Sequence, residues 1–195
     1  MTSTIRKCCL LGLGLALTSL SYVSSAATQT NSEQEKWRTM LPKIKSILEA
    51  QGSSCEPGSV RASVLDAADF LGTSFALIDV CPLGAYTELI DAMRRDGNQP
   101  VSARFRKGRH TVAIGFSRGA SVMHGKDVKL VPEKRAIYDI SWDNDGTDSA
   151  GTVKLHKCLV DAYIWNSKAG VFDYDPKLTA QATRSYCHEL ANQVH

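Results

Sequence analysis

Hydrophobic residues recur with two different periods along this chain, and the change falls near residue 100. Before it, Trp37, Leu41, Ile44 and Leu48 follow at helical spacing and predict one apolar helical face. Ser32-Glu33-Gln34-Glu35 ahead of them reads as a capping box, and Pro42 either kinks this helix or starts a second one. Val60, Val64, Ala67, Ala68 and Leu71 predict another helix over Val60–Leu71. Tyr86, Leu89, Ile90 and Met93 predict a further one over Gly84–Arg95. Ser74–Val80 is apolar throughout and reads equally as helix or buried strand. Asp96-Gly97-Asn98 closes this part with a turn.

After Pro100 the apolar positions alternate with polar ones, as in strands with one buried face. Val101, Ala103 and Phe105 form the first alternation, ended by a Lys107-Gly108 turn. Thr111–Ser117 predicts a strand with Val112, Ile114 and Phe116 on one face, and Asp127–Val131 predicts another. Ala136, Tyr138, Ile140 and Trp142 alternate cleanly up to Asp143-Asn144-Asp145-Gly146, a hairpin-type turn. Val153–Trp165 and Val171-Phe172 continue the pattern. Asp175 can then cap a helix with Pro176 at its first position, and Leu178, Ala182, Tyr186 and Leu190 give it a docking face. The expected fold is α+β: a helical segment over 27–99, then an antiparallel β-sandwich with a C-terminal helix over 100–195.

Residues 1–26 stand apart. Met1–Lys7 carries Arg6 and Lys7 and no acid, Cys8–Leu17 is a short apolar run, and Ser24-Ser25-Ala26-Ala27 supplies small residues. This is the layout of a secretory signal peptide, with an apolar core too short to span a membrane. The expectation is a periplasmic or secreted protein without a transmembrane segment, in a compartment where thiols can pair. Four cysteines would remain after cleavage: Cys55, Cys81, Cys158 and Cys187. An even set predicts two disulfides, for which sequence allows three connectivities. Cys55–Cys81 and Cys158–Cys187 are favoured because each closes a local loop. No Cys-x-x-Cys and no zinc-type spacing occurs, so neither a redox nor a metal role is expected for these thiols.

Charge is unevenly spread. From Thr28 to Met93 there are five basic and nine acidic residues, from Arg94 to Arg135 eleven and three, and from Ala136 to His195 five and eight. The near-neutral total gives no whole-protein attraction to nucleic acid. The basic middle third concentrates Arg104, Arg106, Lys107, Arg109, Arg118 and Lys129 on expected strands and turns, with Arg104 and Arg106 on one strand face by alternation. Such a patch suits lipid or lipopolysaccharide phosphates or an acidic protein.

Pro-Val-Ser-Ala-Arg-Phe-Arg-Lys-Gly-Arg-His-Thr-Val-Ala-Ile from Pro100, and Val128–Pro132 with its closing strand to Ile140, resemble the PEGA-type family of extracytoplasmic surface modules. Lys107-Gly108 matches that family's first turn, and Val128–Pro132 its second motif. Glu133 stands where the family usually has glycine. The likeness covers residues 100–142 and implies a β-sandwich without catalytic machinery.

Two motifs carry chemical alternatives. Gly115-Phe116-Ser117-Arg118-Gly119 fits the Gly-x-Ser-x-Gly nucleophile elbow, with Asp143 or Asp161 and His188 downstream to complete a triad. An elbow needs a helix directly after the serine and several parallel strands before it. Little chain separates Gly119 from the next expected strand, so a glycine-flanked hairpin is expected, with a small serine hydrolase or esterase using Ser117 as the alternative. Asp143–Asp148 has calcium-loop composition. With Gly146 at the sixth loop position, however, Ser141 and Thr152 occupy the two positions that need acids. The histidines are scattered, so no metal and no cofactor is expected. The leading expectation is a non-enzymatic periplasmic binding protein, of the inhibitor or toxin-immunity kind. It would engage an acidic protein or anionic envelope component through a basic sheet face.

Overall fold

A computed structural model describes residues 31–51, 55–56, 58–120, 124–147 and 153–193, without the side chains of 144–147, 153–156 and 192–193. The leader expected over 1–26 lies outside the described residues. Two helices, α1 (31–38) and α2 (Leu41–Ala50), come first. Pro42 sits in the first turn of α2, where its missing N–H has no intrahelical acceptor, so it starts a second helix. Asn31 and Ser32 already have helical backbone, and Glu35 pairs with Arg38 at 3.2 Å instead of closing a capping box.

Eleven strands follow among the described residues: β1 (Ser63–Phe70), β2 (Thr73–Pro82), β3 (Thr87–Asp96), β4 (Gln99–Ser102), β5 (Phe105–Lys107), β6 (His110–Val112), β7 (Gly115–Ala120), β8 (His124–Val131), β9 (Ala136–Thr147), β10 (Val153–Asn166) and β11 (Val171–Tyr174). Helix α3 (Pro176–Gln193) ends the fold. The strands form one sheet in the order β1-β2-β3-β7-β8-β9-β10-β11-β5-β6, with β4 paired to β3. Every pairing is antiparallel except β11 with β5. The sheet folds over itself like a sandwich around an aromatic core. Phe75 lies 4.8 Å from Trp165 and 4.9 Å from Phe172, and Phe105 stacks on Phe172 at 5.2 Å.

The segments read as helices over Val60–Leu71 and Gly84–Arg95 are strands, and the sheet is continuous across residues 96–99. The reason lies in what covers them. Strands β1–β3 bury one face in the aromatic core and the other under α1 and α2, where Trp37, Ile44 and Leu48 meet Ala67, Ala76, Ile78 and Met93. In β3, Leu89 and Met93 face the helices while Ile90 and Ala92 face the core. Burying both faces places apolar residues at i, i+1, i+3 and i+4, which imitates a helix. A bulge between Val64 and Asp66 adds to the effect in β1. Trp37 also donates to Ser74 Oγ at 2.8 Å, and Ser74 donates to the buried Glu33 carboxylate at 2.5 Å, which fastens α1 to β2.

Three further expectations change. Thr111–Ser117 is divided into β6, at the far end of the sheet beside β5, and β7, between β3 and β8; Val112 is half exposed while Phe116 is in the core. The Val101–Phe105 alternation is split between β4 and β5 at Ala103-Arg104, although Ala103 and Phe105 are both buried. Asp143–Gly146 is not a turn: β9 continues through it, with Thr147 paired to Val153.

At the other end, α3 protects an edge. Beside β9, β10 is paired from Val153 to Ile164, but β11 takes its second edge only from Tyr163 onward. Along the remainder, the Ala162 N–H donates to Thr179 Oγ1 at 2.9 Å, the Val160 N–H donates to Thr183 Oγ1 at 3.1 Å, and Cys158 is bonded to Cys187. Four residues of helix rise about 6 Å, close to two residues of strand at about 6.6 Å. Thr179, Thr183 and Cys187 therefore keep step with Ala162, Val160 and Cys158. Asp175 caps the helix as expected, accepting from the Lys177 and Leu178 amides at 2.8 Å. The Cys55–Cys81 disulfide joins the chain after α2 to the end of β2. Both pairings are the two favoured from sequence.

Candidate functional site

The six cations of the expected basic face occupy two places. The β5–β6 hairpin and Arg104 just before it account for four of them. The hairpin's two-residue loop, Gly108-Arg109, joins the paired residues Lys107 and His110. Gly108 has φ +67°, a conformation a side chain would oppose, and the position suits a short hairpin. Phe105 anchors the hairpin in the core, and β5 pairs with β11. Arg104 and Arg106 lie on the opposite side from Ala103 and Phe105, as alternation predicts.

Arg106 is held in place. Its Nε donates to Asp173 Oδ1 at 2.6 Å and its second nitrogen to Oδ2 at 2.8 Å, while Asn166 donates to the same carboxylate at 2.8 Å. These bonds raise the Arg106 pKa and, chiefly through Arg106, lower that of Asp173. Lys107 points along the core side instead. It reaches Asp161 at 3.0 Å and lies 4.3 Å from the centre of the Tyr174 ring. Its hydrogen bond to Asp161 raises its pKa. Arg104 is exposed and donates to the Thr111 carbonyl at 3.3 Å; Arg109 is exposed at the loop. Among the described residues neither is paired with an acid.

Arg118 and Lys129 lie apart from the hairpin and share Asp127, at 3.4 and 3.6 Å. Lys129 also sits 4.7 Å from the Tyr186 ring of α3 and donates to its hydroxyl at 3.3 Å. The expectation of one continuous basic face is therefore corrected. The alternation argument holds within a strand, but β7 and β8 are separated from β5 by the order of the sheet.

The sequence reading did not single out the acid pair beneath Lys107. Asp139 of β9 stands directly opposite Asp161 of β10. Burial pushes the Asp139 carboxyl up to about 6, and neighbouring Asp161 adds to this against the opposing pull of Lys126 and Lys107. Tyr163, the next residue on this side of β10, is raised by burial and then by Asp161. The signal was present in the alternation, since Ile137, Asp139 and Ser141 share a face. The covering partner was not.

The triad alternative finds no support in this arrangement. Ser117 lies within β7, opposite Leu89, and the next element among the described residues is the antiparallel β8, not a helix. Asp143 lies on β9 and contacts His124 at 3.5 Å, while His188 is on α3. No cluster of three metal-ligating side chains occurs among the described residues, and no helix there is long and apolar enough to cross a membrane. No protein-family model, characterised protein or solved structure matches this chain.

Proposed function

We propose that this chain is an exported, non-enzymatic binding protein that recognises an acidic protein partner through the β5–β6 hairpin. The observation that carries this reading is the division of labour among the hairpin cations. Arg106 and Lys107 are spent on Asp173 and Asp161, which fix the hairpin on the sheet. Arg104 and Arg109 stay exposed without an acid, presented by a support that does not need to order on binding. The two disulfides fit an oxidising compartment, in line with the leader read over 1–26. The likeness of 100–142 to extracytoplasmic modules points the same way. An inhibitor or toxin-immunity protein is the narrower form of this proposal.

The test is capture from an envelope extract on immobilised protein, at low and high salt. Wild type is expected to retain a partner that is released by salt. The double variant Arg104→Glu, Arg109→Glu is expected to lose it by tenfold or more, roughly the effect of removing two complementary charges. Equal capture by the variant overturns the proposal.

A further inference from the structure

We propose that the open cleft bounded by α2, β2, β3, β4 and the Ala113–Gly115 segment binds a small organic cation, a primary ammonium on a short apolar chain. This site is separate from the acidic-partner surface and does not depend on it. The cavity has a volume of about 230 Å³. Its walls are mostly apolar, with Leu48 from α2, Val80 from β2, Leu89 from β3 and Ile114, and Gln51 after α2 stands at its exposed rim. Besides Gln51, two polar side chains meet in it. Ser102 Oγ of β4 donates to Asp91 Oδ2 of β3 at 3.2 Å, and the Ala92 amide also donates to the carboxylate.

No lysine, arginine or histidine from α2, β2, β3, β4 or β7 lines the cavity among the described residues; Asp91 is the charged group there. Burial pushes its carboxyl up to about 6, so at neutral pH it is mostly ionised in apolar surroundings with only neutral donors. A buried charge left without a counter-charge is unfavourable, and a ligand supplying one gains what the protein lacks. An ammonium can meet Asp91 while its chain lies against the leucines. At roughly 30 Å³ per water-sized volume the cavity has room for about eight, which fits a short alkylammonium and not a drug-sized molecule. One carboxylate, one hydroxyl and the Gln51 amide are too few oxygen ligands for a calcium ion.

The experiment is NMR titration of the full protein with butylammonium and, as a neutral control, butanol. At about pH 7.5 butylammonium is expected to bind saturably, with shifts at Asp91, Ser102 and Ile114, while butanol gives at least about tenfold weaker binding. Lowering the pH to about 5 leaves roughly one carboxyl in eleven ionised, so affinity should fall about tenfold. Asp91→Asn should abolish binding while the spectrum of the sheet is retained. If that variant does not fold, Ala113→Phe, at an exposed wall residue, should block binding with Asp91 intact. Absence of saturable binding to wild type, equal binding of butanol, or unchanged binding in a folded Asp91→Asn protein overturns the proposal.

Discussion

Burial raises the pKa of four aspartates, Asp66, Asp79, Asp91 and Asp139, and should make this protein more stable in mild acid than at neutral pH. Asp139 and Asp91 both titrate at about 6 in the folded protein, chiefly because burial penalises their charged forms. In an unfolded chain an aspartate titrates near 3.9. Between about pH 4 and 6 the folded state therefore binds more protons than the unfolded one, and stability falls as pH rises. For Asp139 the difference between 3.8 and about 6 corresponds to about 3 kcal/mol lost above pH 6, at 1.36 kcal/mol per pH unit. Asp91 contributes a loss of the same order. Glu33 and Asp173 act in the opposite direction. Burial works to raise the Glu33 carboxyl, but hydrogen bonds from Lys36 and Ser74 outweigh it; for Asp173 the Arg106 bond leads. Their stabilisation is present above the unfolded value and lost as pH falls below about 4. Stability should thus peak at about pH 4 to 5. Asp139→Asn keeps the shape and removes the charge facing Asp161. In urea titrations it should gain about 1–3 kcal/mol at pH 7 and almost nothing at about pH 4.5. An equal gain at both pH values, or a loss at pH 7, refutes the reasoning.

Three other outcomes follow from the packing. Replacing Cys158 and Cys187 by serine opens a loop with a sequence separation of 29 and should cost about 3–4 kcal/mol by urea denaturation under oxidising conditions. Thr179→Val with Thr183→Val leaves the Ala162 and Val160 amides without side-chain acceptors, at about 1–3 kcal/mol each, and hydrogen exchange should accelerate at those two amides. Gly125→Ala places a methyl group 2.0 Å from the Trp142 indole, so the ring must move; the change should appear in tryptophan fluorescence, with a cost of about 1–3 kcal/mol.

The C-terminal half was legible where one face is buried and the other is not. Ala136–Trp142 alternates because Ile140 and its neighbours lie under α3 while Asp139 and Ser141 face the other way. The α3 docking face and the Asp175 cap were readable because local spacing determines both. The N-terminal half was misread because β1–β3 are covered twice, once by the aromatic core and once by α1 and α2. Strand periodicity disappears when both faces must be apolar. The site was half legible for a related reason. Composition placed the cations in the middle third, but their counter-charges Asp161 and Asp173 come from β10 and β11, at least 54 residues further along the chain. Only the pairing of β5 with β11 brings them together. Which cations remain for a partner is a property of topology.

The central claim is that the hairpin pair Arg104 and Arg109, rather than basic charge in general, recognises the partner. It is tested by comparing partner affinity for Arg104→Glu, Arg109→Glu with that for Arg118→Glu, Lys129→Glu, whose residues are already paired with Asp127 elsewhere on the sheet. Both double variants change the net charge equally. A loss of about tenfold or more confined to the hairpin variant is the predicted result. Equal losses in both, or a loss confined to the Arg118 and Lys129 variant, would contradict the account.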